Sequence, residues 1–180
     1  ISGKISRSIG IISKSSFYLS RKSLFKLYYS LVYPYLYYGN IVWGSTYESN
    51  LARLIVLQKT VIRIITKSSF DAHTAPIFYY FNLLNLSNIY KLQAGIFMFS
   101  VHNKVLAAMF QSMFHQNSHV HSYLTRQANH YKIPYCRTNI MKFSIAYQGP
   151  KFWNSLPPTL KANSSLKTFK AKLKRHLITL

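Results

Sequence analysis

One segment, SNLARLIVLQKTVIRIITK at 49–67, leaves this chain little choice of fold class. Its apolar residues Leu51, Leu54, Ile55, Val61, Ile62 and Ile65 recur at intervals that gather them on one stripe of a helix. Arg53, Thr60, Arg63 and Lys67 fall on the other side. Two further stripes precede it. Ile5, Ile9 and Ile12 alternate with Lys4, Arg7 and Lys14, which predicts a first amphipathic helix. After a turn at Ser15-Ser16, Ser20 is placed to cap a second, with Leu24, Leu27, Tyr28 and Leu31 inward. Pro34 should kink or end that helix, and Gly44, after Trp43, offers a stop to the Tyr-rich stretch beyond. Helices of this kind joined by short turns predict a three-helix bundle over 1–68.

Past Ser68 the composition changes. A helical connector is expected over 69–114, with short helices near Pro76, over Leu86 to His102 and over Ala107 to Phe114. A C-terminal extension would occupy 115–180: a polar His-, Asn- and Ser-rich loop over 115–139, then a short β element around 131–148. Within it, Phe143 to Tyr147 reads as the strand, which Gly149 and Pro150 should end. Phe152 and Trp153 then supply large apolar bodies, and Pro157-Pro158 stops the turn, making YQGPKFWNSLPPTLK a packed corner. Ser165 can cap a terminal helix with Leu166, Phe169, Leu173 and Leu177 inward and Lys167, Lys170 and Lys174 outward. The fold class expected is mainly α. No internal repeat or low-complexity tract stands out.

Charge restricts function as strongly as periodicity restricts fold. Against 23 lysines and arginines stand two acids, Glu48 and Asp71, for a formal net charge of +21. Two-metal phosphoryl transfer and paired-carboxylate hydrolysis need several converging acids, so these classes are nearly excluded. The chain carries no Gly-x-Ser-x-Gly elbow and no Gly-x-x-x-x-Gly-Lys phosphate loop. His115, His119 and His121, with His130 and Cys136 downstream, hold zinc-type donors without the paired cysteines of structural zinc modules. Solvated loop histidines are the expectation there, and a Cys136 nucleophile has no supporting motif. The reading is of a chain that is not itself an enzyme.

A lone cysteine forms no intrachain disulfide and suits a reducing, intracellular setting. No signal peptide is visible at the start, where Lys4, Arg7 and Lys14 interrupt the apolar residues. The chain opens at Ile1 without methionine, so a piece of a longer product is expected. Leu27 to Gly44 carries no charge, but tyrosines dominate it and Pro34, Gly39 and Asn40 break it, which favours a buried kinked helix over a membrane span. Arg53, Arg63 and Lys67 on the third helix, and Lys167, Lys170, Lys172, Lys174 and Arg175 on the last, make dense basic faces. With so little counter-charge, sequence-independent contact with a nucleic-acid backbone is the expected use.

Several stretches together resemble a known family. KISRSIGIISK, LYYSLVYPYLYYGNIVWGS and LARLIVLQKTVIRIITKSSFDAHTAPIF are similar to the region just after the palm of non-LTR (LINE-type, jockey-like) retrotransposon reverse transcriptases. HSYLTRQ, IPYCRTNIMKFSIAYQGPKFWNSLP and the closing basic helix resemble the extension that follows in the same proteins. The resemblance implies a thumb over residues 1–68 and a C-terminal extension beyond. It implies as partners an RNA template and DNA primer duplex, and the palm and fingers of a parent RNA-directed DNA polymerase. The parent's Mg2+-binding aspartates would lie upstream of Ile1, so no catalytic residue and no cofactor are expected in this chain. Arg53, Arg63 and Lys67 would then hold duplex phosphates, while Trp43, Gly149, Pro150 and Trp153 would be structural. Some relatives carry a Cys-rich zinc knuckle near the end; one cysteine cannot build it. A nuclear or cytoplasmic location, without stable membrane association, is expected. The alternatives are a basic membrane-associated protein, which would lay the Tyr-rich segment and cationic last helix on anionic lipid, and a decayed element remnant.

Overall fold

The three leading stripes fold as helices where their spacing places them. In the computed structural model, which describes residues 1–119, 125–163 and 165–179, α1 (Ser2–Ser15) buries Ile5, Ile9 and Ile12. The second helix, α2 (Arg21–Leu31), starts at Ser20, whose hydroxyl accepts the Ser23 N–H at 3.3 Å. Leu24 and Tyr28 are buried on it, with Leu27 and Leu31 half-buried beside them. Pro34 marks a break: α2 ends at Leu31, and α3 (Tyr33–Tyr37) begins with Pro34 in its first turn, where a missing N–H costs nothing. Gly39, at φ +63°, turns the chain into α4 (Asn40–Trp43), and Trp43 closes that turn by donating from Nε1 to the Tyr38 carbonyl at 3.0 Å.

The long helix α5 (Glu48–Thr66) packs against α1 and α2. Leu54, Val61, Ile62 and Ile65 are buried; Leu51 and Ile55 are half-buried. One buried residue on this face is polar. Gln58, 1% exposed, donates from Nε2 to the Tyr28 hydroxyl at 3.0 Å and to the Leu84 carbonyl at 2.9 Å. One amide thereby joins α2, α5 and the turn after α6 (Ala75–Tyr80), the short helix with Pro76 in its first turn. Burial pushes the Tyr28 hydroxyl well above its ordinary range, and the Gln58 bond opposes that only in part.

The chain divides into two compact units, Ile1–Tyr90 with the C-terminal end from Ile178, and Lys91–Leu177. The division falls inside α7 (Leu86–His102), so the segment 69–114 contributes to both. In the second unit Leu92, Met98, Phe99, Trp153, Phe169 and Leu173 form the core, with the Phe99 and Phe169 rings stacked at 4.5 Å. The short helix α8 (Ala108–Gln111) occupies part of the stretch expected to be helical to Phe114. A 3-10 turn (Asn117–His119) follows, and an antiparallel bridge joins Gln116 to Tyr131.

The molecule is mainly α, and that bridge is all the β structure among the described residues. The strand expected over Phe143 to Tyr147 is absent. Residues there finish α9 (Asn139–Phe143) and begin α10 (Ile145–Ser155). Ser144, extended at ψ 154°, breaks one helix, and its carbonyl accepts the Gln148 N–H at 2.9 Å to start the next. Nor do Gly149 and Pro150 end anything: both lie inside α10 on its buried face, with Trp153 one turn on. A Cβ on Gly149 would come within 2.8 Å of Met98 Sδ, so glycine sits there to let α10 approach α7. An interior proline loses one helical bond, yet Pro150 is buried on the core face of α10. Pro158 then opens α11 (Pro158–Lys161) rather than closing a turn. The last helix, α12 (Leu166–Thr179), begins after Ser165, whose carbonyl accepts the Phe169 N–H at 2.9 Å.

Candidate nucleic-acid interface

The cations of α5 do not share one environment. Arg53, Lys59 and Lys67 are exposed. Arg63 is half-buried, and its guanidinium donates to the Ala72 carbonyl from Nε at 3.0 Å and from Nη2 at 2.9 Å. It therefore pins the loop after α5, a task its periodicity does not announce. Lys67 stands in the left-handed region at φ 55°, the place glycine usually takes at a helix end. Around it the Lys67 N–H reaches the Ile64 carbonyl (3.2 Å) and the Ser68 N–H reaches the Arg63 carbonyl (3.0 Å), which caps the helix.

An open groove of about 470 Å³ lies beside this helix end, lined in part by Ser13, Phe17, Thr60, Arg63, Lys67 and Phe70. Phe17 and Phe70 are 83% and 86% exposed, unusual for rings of this size. Both close the same tetrapeptide, Lys-Ser-Ser-Phe, at 14–17 across the end of α1 and at 67–70 after α5. This short recurrence is the one sequence signal of the groove, and four residues are too few to mark a repeated structural unit.

In the second unit, α12 is sharply two-sided. Phe169, Leu173 and Leu177 are buried, while Lys167, Lys170, Lys172 and Arg175 are exposed. Lys172 donates to the Asn163 side-chain oxygen at 2.8 Å. Lys174, expected outward, is half-buried; burial and then the Lys170 ammonium lower its pKa. Leu166, expected inward, is exposed at the first turn. Trp153 sits against Phe169, with ring centroids 5.8 Å apart, and so helps seat this helix.

Asn154, which carries no sequence signal, holds the loop to α10. It accepts the Tyr131 N–H at 3.0 Å and donates to the Tyr131 carbonyl at 2.8 Å. Tyr131 in turn lies 3.2 Å from His102 Nδ1. A second pocket, of about 340 Å³, includes His102, Lys104, His115 and Tyr131. Burial, and then the Lys161 ammonium, hold His102 below its ordinary value of 6.5.

The two acids do not make a metal site. Glu48 begins α5 and Asp71 follows its far end, and a helix of that length spans roughly 28 Å at about 1.5 Å per residue. Ser69 donates a short hydrogen bond to the Asp71 carboxylate, which lowers its pKa. These residues do not fit Mg2+ of the two-metal kind, in which several carboxylates converge. Among the described residues no group of three or more His, Cys, Asp or Glu could hold a metal ion. His115 is exposed and Cys136 is half-buried, with Sγ 3.5 Å from the Pro134 carbonyl. His121 lies outside the described residues. No helix among the described residues is long and apolar enough to cross a membrane.

No protein-family model, no curated protein and no solved structure matches the chain.

Proposed function

We propose that the chain is the thumb and C-terminal extension of a non-LTR retrotransposon reverse transcriptase, and that it binds template–primer duplex through phosphate contacts without reading sequence. The observation that carries this reading is the combination of a net charge of +21 with cations presented over a buried apolar seam, most clearly on α12. Such a surface repels itself unless a polyanion neutralises it. On this reading the chain is catalytically inert by itself and works inside a reducing compartment, nucleus or cytoplasm. It would act with the palm and fingers of the parent enzyme.

Charge reversal on α12 tests the proposal. Lys167, Lys170 and Arg175 are all exposed, so K167E/K170E/R175E should spare the core beneath them. Affinity for an RNA–DNA hybrid should fall alike for unrelated sequences. The slope of log K against log salt should flatten by up to about 2.7, at roughly 0.9 for each phosphate no longer neutralised. A variant that binds one sequence as before and loses another would contradict the backbone reading. The cations of α5 are tested better through Arg53 and Lys59 than through Arg63, whose removal also releases the Ala72 loop.

A further inference from the structure

We infer that the groove beside the C-terminus of α5 receives one unpaired nucleotide of a bound strand, with its base against Phe17 and Phe70 and its phosphate on Arg63 and Lys67. The inference rests on the nucleic-acid reading and adds to it a place for a base that has left its pair.

The apolar walls come first. Phe17 and Phe70 are largely in water, where neither ring contributes to the core of the first unit. Both nevertheless line one groove, brought there by the two Lys-Ser-Ser-Phe segments at the ends of α1 and α5. Its volume of about 470 Å³ falls within the range of roughly 300–1,000 Å³ typical of small-molecule sites. Exposed aromatic faces beside cations are the recurring means of holding unpaired bases, because every base offers a π-face.

The polar groups fit a phosphate. Two of the Arg63 nitrogens are occupied by the Ala72 carbonyl, which fixes the guanidinium plane and leaves Nη1 for a ligand. Lys67 adds an exposed ammonium, and the Ser13 hydroxyl is a further donor. Of the other lining hydroxyls, Ser16 donates to the Ser13 carbonyl at 2.7 Å and Thr60 to the Val56 carbonyl at 3.0 Å, while Ser68 shares a hydrogen bond of 2.8 Å with the Thr66 hydroxyl. A helix C-terminus ordinarily repels an anion. Here the Arg63 and Ile64 carbonyls are capped by the Ser68 and Lys67 N–H groups, and the two cations offset the remainder. Asp71 is not among the lining residues; its carboxylate is held by Ser69, and its attraction to Arg63 offsets part of the positive charge there.

Two hybrids of the same length and sequence provide the test, one blunt and one ending in a single unpaired nucleotide. The intact chain should bind the overhang form about tenfold more tightly, since one stacked base contributes roughly 1–3 kcal/mol. F17A/F70A should remove most of that preference, leaving only the part due to the added phosphate on Arg63 and Lys67, with blunt-hybrid affinity unchanged; rings this exposed can be removed without opening the core. Equal affinities in the intact chain would overturn the inference and leave duplex binding standing. A preference undiminished in F17A/F70A would overturn it as well, by placing the base elsewhere. A chain that binds neither hybrid would overturn both this inference and the reading beneath it.

Discussion

Replacing Gln58 by leucine should cost this protein about 2 kcal/mol, although leucine continues the apolar stripe of α5. The side chain is 1% exposed, and its Nε2 serves two buried acceptors, the Tyr28 hydroxyl at 3.0 Å and the Leu84 carbonyl at 2.9 Å. Leucine leaves both without that donor, at about 1–3 kcal/mol for each buried group so orphaned. Its apolar burial returns on the order of 1.5 kcal/mol, and the difference is the expected loss. Urea denaturation reads it, with Trp43 reporting on the first unit after Trp153→Phe is introduced into every member of the set. Tyr28→Phe removes one of the two acceptors in advance. The double variant should therefore be less unstable than the sum of the singles, with a coupling of about 1 kcal/mol. A Gln58→Leu loss below about 0.5 kcal/mol, additive with Tyr28→Phe, would refute the assignment of this amide as a joint between helices.

Two further outcomes follow from local geometry. Lys67→Gly should raise stability by about 1 kcal/mol in the same assay, because φ 55° costs a side chain and not a glycine; a drop in stability would mean that Lys67 makes an interaction worth more than its strain. Stability of the second unit should fall as the solution is acidified below about pH 6.5. His102 is held below 6.5 in the fold, so the unfolded chain takes up the proton first. The contribution is full above 6.5 and is lost as pH falls through the folded value. The slope is shallow, because His102 keeps more than a third of its surface in water. His102→Asn should flatten it, as followed by Trp153 emission, and an unchanged slope would show that His102 is not its source.

The helices were legible in the sequence where a stripe ran long enough to be one-sided. Leu54, Val61, Ile62 and Ile65 are where spacing put them, and α7 runs over the expected Leu86–His102. Short alternations misled. Phe143, Ile145 and Tyr147 alternate as a strand does, yet Ser144 separates two helices there. Gly149 and Pro150, ordinarily stops, lie within a helix because a partner helix needs the space that glycine leaves. Partnerships between distant residues have no local signature, which is why Gln58 with Leu84, Asn154 with Tyr131, and Arg63 with Ala72 appear only in three dimensions. Of the candidate interface, the exposed cations of α12 were readable from periodicity. The groove depends on two turns brought together by packing, and only the repeated Lys-Ser-Ser-Phe hinted at it.

Binding of a polyanion by charge alone is tested most directly by a salt titration of RNA–DNA hybrid binding by the full chain. Log K should fall linearly with log salt, at roughly 0.9 per phosphate engaged, with the same slope for unrelated sequences. Affinity indifferent to ionic strength, or no binding at low salt, would contradict it.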